Sequence, residues 1–599
     1  MPEVPMPVPP SPNRRRFLAA AAATTAGVAI SATARPAAAG QHGWVRSTLA
    51  RMTRDEIIGQ LIISYVYGAT ADTSDDRNTE LYGVATPAEV VQTYHLGGVI
   101  YFAWSDNLAD PQQIGALSND LQAASLTGGT KVRIPLQITT DQEMGVVTRV
   151  GPPATQFPGS MAVAATRNET SARTAARITG AELKAIGITT DHAPDADVNV
   201  NPLNPVIGVR SFSSDPTLAA ALVSAQVKGY QDDGGIIATV KHFPGHGDTV
   251  DDSHTGLPVI HHSRAEWERI DRPPFAAAIT AGVDMIMTAH IVVPSLDPAE
   301  DPATLSRPIM TGILRQQLGF DGVVITDSMA MEGVREKYGD AEATVRALEA
   351  GVDQLLMAPA PQVATRAINE ALDSGRLTMA ELRAKVARVL NLKYRNGLVA
   401  NPTVDLGAID RVVGTPDHLA AADDITDHTH TLLVNSDATL PIRPKETKIL
   451  VTGYGVTTGK TLSAALTDLG ATTTLLTTGS APTDAAITAA ADAATDHDVV
   501  VVTSYKIRDG DNSQIKLIAA LQRTGVPVVV IAVAEPYDIA HLPDVTTYLA
   551  TYSYNPVSMR SVVRVITGAV NPAGRLPVDI PAADGSGDLL FRLGDGGGF

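Results

Sequence analysis

Short apolar, β-branched runs recur eight times in the first 400 residues, and helix-favouring stretches separate them. The runs at 61–65, 99–102, 135–139, 187–190, 236–240, 284–288, 322–326 and 353–357 have the length of buried strands. The intervals, such as 169–185, 216–231 and 341–350, are rich in Ala, Leu, Glu and Arg, which prefer helix. Such alternation fits either a (β/α)8 TIM-type barrel with insertions or an open doubly wound sheet. Side-chain chemistry favours the barrel. Asp141, Asp191, Lys241, His242, His290 and Asp327 fall at or just past the carboxyl ends of different runs. Barrels build their sites on that face from many strands, whereas an open sheet gathers them at one crevice.

A second strand–helix series follows, with runs at 448–452, 473–477, 499–503, 528–533 and 547–550. It predicts a smaller α/β parallel-sheet domain over 445–599, joined to a barrel over 42–399 by a linker and helical connection at 400–444. Before the barrel, Asn13-Arg14-Arg15-Arg16-Phe17-Leu18 leads into an alanine-rich run ending near Ala37-Ala38-Ala39. This pattern predicts a twin-arginine-type signal peptide over 1–39, hence a secreted protein. The chain has no cysteine, so neither a lipid-modified cysteine nor a disulfide framework is open to it. No later run of about twenty apolar residues predicts a membrane span. A net charge of −18 argues against a nucleic-acid partner, because phosphate neutralisation needs basic patches.

The densest chemistry lies in Lys241-His242-Phe243-Pro244-Gly245-His246-Gly247-Asp248 and Asp252-Ser253-His254. Pro244 and two glycines break any regular element, so these groups are expected on a loop after the fifth strand. The histidines could bind a metal, but Pro244-Gly245 interrupts the 242/246 spacing and denies it the helical face of a zincin motif. They could also merely cap and cross-link the loop. Acid–base work is the stronger reading: in an extended loop Asp252 and His254 share a side, so the carboxylate can orient the imidazole and support its charged form. Asp327, at the end of the seventh strand, reads alone as a helix N-cap with Ser328. Facing an acid–base group across a barrel end, it becomes one half of a catalytic pair. Asp141 can accept hydroxyl protons, and Arg149 and Arg210 can clamp oxygens or hold a neighbouring carboxylate.

Together these blocks resemble glycoside hydrolase family 3, in its β-N-acetylglucosaminidase branch. The matching residues are Lys241 to Gly247, Asp252-Ser253-His254, Asp141-Gln142-Glu143 with Arg149, Asn199-Val200-Asn201-Pro202, Asn204 to Gly208 with Arg210-Ser211-Phe212, and Ile325-Thr326-Asp327. In the second domain, Asn571-Pro572-Ala573-Gly574-Arg575-Leu576-Pro577-Val578 resembles the family's closing motif. The resemblance implies Asp327 as nucleophile, His254 as acid/base assisted by Asp252, and sugar binding by Asp141, Arg149, Arg210, Lys241 and His242. It implies a retaining exo-β-N-acetylglucosaminidase acting on cell-wall or chitin-derived glycans, with no metal or organic cofactor. The alternatives are a phosphorylase using the same intermediate, a β-glucosidase or β-xylosidase of the family, and a non-catalytic wall-binding protein. Met144 stands where the family commonly has glycine, which predicts a narrowed pocket or a shifted loop.

Overall fold

The structure, a computed structural model, describes residues 34–128, 131–253 and 256–599. The expected twin-arginine signal therefore lies almost wholly outside the described residues. A helix, Ala34–Arg51, already runs through the expected cleavage site. Among the described residues, no helix is long and apolar enough to cross a membrane.

Eight parallel strands form the first sheet: β1 Ile62–Ser64, β2 Gly98–Ile100, β3 Gln137–Thr140, β4 Thr190–Asp191, β5 Ile237–Phe243, β6 Met285–Thr288, β7 Val323–Ile325 and β8 Leu355–Leu356. They neighbour one another in chain order from β1 to β7, with β8 paired to β1. A parallel bridge between Ile325 and Gln354 brings β7 to β8 and rounds the sheet into a barrel. Side chains alternate between the two faces with period two, and since both faces are buried most strand positions are apolar. Ile63, Ile100, Ile237, Met285, Met287, Val323, Ile325 and Leu356 fill the interior. Their neighbours Ile62, Val99, Ile138, Ala238, Val240, Ile286, Val324 and Leu355 pack outward against the helices. At the amino end, Gln354 Nε2 donates to Gln137 Oε1 at 2.7 Å, and Lys393 Nζ donates to Gln60 Oε1 and to the Gly97 carbonyl at 2.7 and 2.8 Å. These side chains fill the amino end as a plugged floor, with Gln354 Oε1 left without a partner, and the carboxyl end is the open face.

The second domain is a six-stranded sheet ordered β11-β10-β12-β13-β14-β9. It comprises β9 Thr431–Asn435, β10 Lys448–Gly453, β11 Thr472–Thr477, β12 Val499–Ser504, β13 Val528–Ala532 and β14 Thr547–Ala550. Strands β10 to β14 are parallel, and β9 runs antiparallel at the edge beside β14. The segment expected as linker, 400–444, thus contributes a strand to this sheet as well as the helix Pro416–Asp427. One face of the sheet buries Ile449, Val451, Val501 and Ile531 beneath helices Val456–Asp468 and Pro556–Ile566. The other buries Leu450, Val500, Val502 and Val530 in a cluster that also takes in Met161, Ala162, Ala165 and Val209 of the barrel domain. The two domains therefore share a core.

Candidate active site

Strand β5 does not stop at Val240, as the sequence suggests, but continues to Phe243. Its register against β6 passes from Val240↔Ile286 to Phe243↔Thr288, so β5 carries one extra residue there. A bulge of this kind re-aims side chains. Lys241 and His242 are accordingly strand residues at the barrel mouth rather than loop residues. On its other side Lys241 bridges Asp195 in parallel, with the Ala196 amide donating to the Lys241 carbonyl at 2.6 Å. That pairing lays Asp195 and Asp197 beside His242.

The charged groups form one buried array. Lys241 Nζ contacts Asp141 Oδ1 at 2.9 Å and Glu143 Oε1 at 2.6 Å. Arg210 grips Glu143 with two bonds of 2.9 Å, from Nε to Oε2 and from Nη2 to Oε1. Its Nη2 also lies 3.3 Å from His242 Nε2. His242 Nδ1 stands 2.7 Å from Asp197 Oδ2, and Asp197 Oδ1 accepts the backbone amides of His246 and His242 at 2.6 and 3.3 Å. With Nδ1–H donated to Asp197, the His242 Nε2 lone pair is left to accept from the guanidinium.

Burial opposes charge throughout this array, and the partners decide where each group settles. Burial would raise the Glu143 and Asp141 carboxyls, but Arg210 with Lys241 hold Glu143 far down, and Lys241 beside Asp141 keeps it below the usual range. Burial would lower Lys241, yet Asp141 and Glu143 raise it. For His242 the opposing pull of Asp327 and Asp195 is too weak: burial and then Arg210 bring it to about 4. Burial also pushes Asp197 up to about 7, and Asp195 well above its ordinary value. Asp195, Asp197 and His242 each place an atom within 4.8 Å of the others, a set with the chemistry to hold a cation. Arg210 Nη2, 3.8 Å from Asp195 Oδ2, already supplies positive charge there.

Asp327 follows β7 and lies in the same cavity, of about 310 Å³, as Asp141, Arg149, Arg210, Lys241, His242 and Ser253. Its Oδ1 accepts the Ser328 amide at 2.7 Å. Burial would raise this carboxyl, but His242, His290, the Ser328 amide and Lys241 outweigh it and hold Asp327 at about 2. His290 Nε2 lies 2.9 Å from the Ser328 carbonyl, so this histidine braces the turn that carries Asp327. Asp191, likewise at a strand end, is used structurally: its Oδ1 accepts the Gln142 amide at 2.8 Å.

Arg149 reaches the cavity from a loop that Gln142 ties down, with Oε1 accepting the Arg149 and Val150 amides at 2.8 and 2.9 Å. Its guanidinium stands 5.7 Å from the centre of the Phe102 ring, on which exposed Trp104 stacks at 4.8 Å. Met144 takes the left-handed backbone conformation, φ 69°, but does not line this cavity. It lines a separate small hollow with Val150, Ala154, Leu183 and Val413. The expected narrowing of the site by Met144 is therefore not what the fold produces.

His254 lies outside the described residues. The loop leading to it is anchored through His246, whose Nδ1 meets Thr249 Oγ1 at 2.9 Å and whose Nε2 meets Ser253 Oγ at 3.0 Å. Ser253 lies on the cavity wall, and Asp252, which precedes it, does not line the cavity. Sequence reasoning named neither Glu143, Asp195, Asp197 nor Trp104 as site residues. The signal for the aspartates was present, as carboxylates at 191, 195 and 197 just past a strand.

Comparison with known proteins agrees with this geometry. Residues 53–392 match the Glycosyl hydrolase family 3 N terminal domain and residues 430–592 the Glycosyl hydrolase family 3 C-terminal domain. Beta-hexosaminidase A of Pseudoalteromonas piscicida is 36% identical over 422 residues, covering 65% of this chain and 69% of that protein. A beta-N-acetylglucosaminidase/beta-glucosidase of Cellulomonas fimi is 29% identical over 588 residues, covering 92% and 98%. Among solved structures, a glycoside hydrolase family 3 beta-N-acetylglucosaminidase from Paenibacillus sp. str. FPU-7 superposes with a TM-score of 0.80 at 36% identity, over 88% of this chain and 99% of its own. Both matched domains, in this order and on this fold, establish that the chain is a carbohydrate-acting enzyme belonging to glycoside hydrolase family 3.

Proposed function

We propose that the enzyme is an exported, retaining exo-β-N-acetylglucosaminidase that removes terminal β-linked N-acetylglucosamine from cell-wall or chitin-derived glycans. One observation carries the reading. Asp327, held ionised, and Ser253, the residue between Asp252 and His254, line a single cavity whose other walls carry Asp141, Arg149, Arg210, Lys241 and His242. The name of the Paenibacillus relative supports N-acetylglucosamine as the sugar, that of the Pseudoalteromonas beta-hexosaminidase supports a hexosamine, and the twin-arginine pattern at Arg14-Arg15-Arg16 supports export.

In this mechanism Asp141, Arg149, Arg210, Lys241 and His242 hold the sugar hydroxyls. Trp104 offers the ring an apolar face. The Asp327 carboxylate attacks the anomeric carbon while protonated His254, oriented by Asp252, gives its proton to the leaving oxygen. A water then gives its proton to neutral His254 and its oxygen to the anomeric carbon, which releases the sugar with net retention. An imidazole adds no negative charge to the site, so phosphate can stand in for that water without strong repulsion.

The test is a panel of aryl β-glycosides, assayed with and without phosphate, with NMR of the first-formed anomer. The expected outcome is preferred turnover of the N-acetylglucosaminide with β product first. An α product overturns Asp327 as nucleophile, and preferred glucoside turnover overturns the sugar assignment. Accumulation of sugar 1-phosphate makes the enzyme a phosphorylase.

A further inference from the structure

Arg210 sits on a segment held from both sides: the barrel fixes it through Asn204 Nδ2 to the His246 carbonyl at 2.8 Å, Ser211 Oγ to the Asp197 carbonyl at 2.6 Å and Arg210 to Glu143. Between Asn199 and Ser214 the only regular element is the single turn Gly208–Arg210. The second domain clasps this segment along its length. Asn199 Nδ2 donates to the Tyr537 hydroxyl at 3.1 Å. Arg508 donates to the Leu203 and Asn204 carbonyls, each at 3.2 Å. The Ser214 amide donates to the Pro577 carbonyl at 3.2 Å.

A close approach is at Gly208, two residues before the arginine. Gly208 has a φ of +46°, and a Cβ there would lie 2.7 Å from Glu535 Oε1. Glu535 is itself fixed by Arg508, whose Nη2 reaches both of its carboxylate oxygens at 2.7 and 2.9 Å. Both residues lie at the carboxyl edge of the second sheet, Arg508 after β12 and Glu535 after β13. Lys506 Nζ stands 3.3 Å from Glu535 Oε1 as a second cation, so the carboxylate has little freedom and its placement is transmitted to whatever packs on it.

We infer that the Arg508–Glu535 pair of the second domain is a positioning device for Arg210, setting the guanidinium that grips Glu143 and meets His242. The second domain thereby takes part in sugar binding without touching the sugar. This rests on the reading that Arg210 holds the glycone. The interaction acts on ground state and transition state alike, so its loss raises KM more than it lowers kcat.

The experiment compares the wild-type enzyme with Arg508→Ala, Arg508→Lys, Glu535→Gln, Arg210→Ala and the Arg210→Ala/Arg508→Ala double variant. Each is assayed on 4-nitrophenyl N-acetyl-β-glucosaminide and melted. Arg508→Ala and Glu535→Gln are expected to raise KM by about tenfold with a smaller effect on kcat. Arg508→Lys is expected to restore part of the loss. In the Arg210→Ala background, Arg508→Ala should add nothing, because coupled residues fail additivity. Unchanged KM in the single variants, losses that multiply in the double variant, or failure of both Arg508→Ala and Glu535→Gln to fold would overturn the inference. A wild-type enzyme that turns over no N-acetylglucosaminide would instead overturn the assignment of the sugar.

Discussion

Glu143 Oε1 lies 2.6 Å from Lys241 Nζ, and both side chains are almost wholly removed from water, at 2% and 3% exposure. Arg210 takes Glu143 from the other side, so one carboxylate serves two cations, and Asp141 supplies the second negative charge. Within this quartet two acids face two bases, so the four charges offset one another, which lowers the cost of burying them. Lys241 and Arg210, which line the cavity holding Asp327, are thus held by a residue that the motif contains but that no reading of spacing singles out.

Glu143→Ala leaves Asp141 alone against two buried cations. Breaking a buried pair by removing one partner destabilises by about 3–5 kcal/mol. The variant is expected to lose that much in denaturant titration and to bind sugar weakly, while Glu143→Gln, which keeps the shape and one acceptor, loses less. The pH sign follows from the lowered carboxyl: its stabilisation is full above the unfolded value of 4.5 and is lost only as acid drives the folded group through its depressed value. A Glu143→Ala protein that unfolds at the wild-type midpoint would show that the array carries no stability.

Asp327→Ala is expected to abolish turnover, as read by product release from an aryl N-acetylglucosaminide. Because Asp327 is held at about 2, it stays ionised across the working range. The basic limb of the kcat/KM profile then belongs to the general acid, which must be protonated to act. His254→Ala is expected to flatten that limb and to lower turnover of a poor leaving group by about 10²–10⁴-fold. A basic limb that survives in His254→Ala would assign the proton to another group.

Much of the barrel was legible because parallel strands buried on both faces read as short unbroken apolar runs, and all eight runs coincide with strands. Three things were not legible. β9, Thr431-Leu432-Leu433-Val434-Asn435, follows an aspartate-rich helix and pairs antiparallel at a sheet edge, so it breaks the strand–helix rhythm that revealed the others. The extension of β5 through Lys241 and His242 depends on its bridge to Asp195, a contact across 46 residues of chain. The destination of Met144 was hidden as well: spacing places it beside the sugar-binding motif, but a left-handed backbone turns its side chain into another hollow.

His262 offers a separate handle on the loop after β5. Its Nε2 meets Asp248 Oδ2 at 3.1 Å and its Nδ1 meets Asp271 Oδ2 at 2.8 Å, so it ties the loop after β5 to the helix Arg272–Thr280. Its hydrogen bonds to Asp248 and then Asp271 raise it to about 10. A raised folded value stabilises fully below the unfolded value of 6.5 and is lost as pH rises through about 10. The melting-temperature gap between wild type and His262→Gln should therefore be widest at and below pH 6.5 and close as pH rises through about 10. A gap independent of pH would mean that the imidazole is not charged.

Met144→Gly separates the two effects that this position combines. The left-handed conformation costs a non-glycine residue about 1–2 kcal/mol, which glycine would recover. Emptying the hollow beside Val150, Ala154, Leu183 and Val413 costs about 2–5 kcal/mol, the range for truncating a buried methionine. The second term wins, so the variant should be less stable by about 1–3 kcal/mol in denaturant titration. Because the side chain does not line the cavity holding Asp327, the ratio of kcat/KM between the N-acetylglucosaminide and the glucoside should stay as in wild type. A shift in that ratio, with stability unchanged, would place Met144 at the sugar after all.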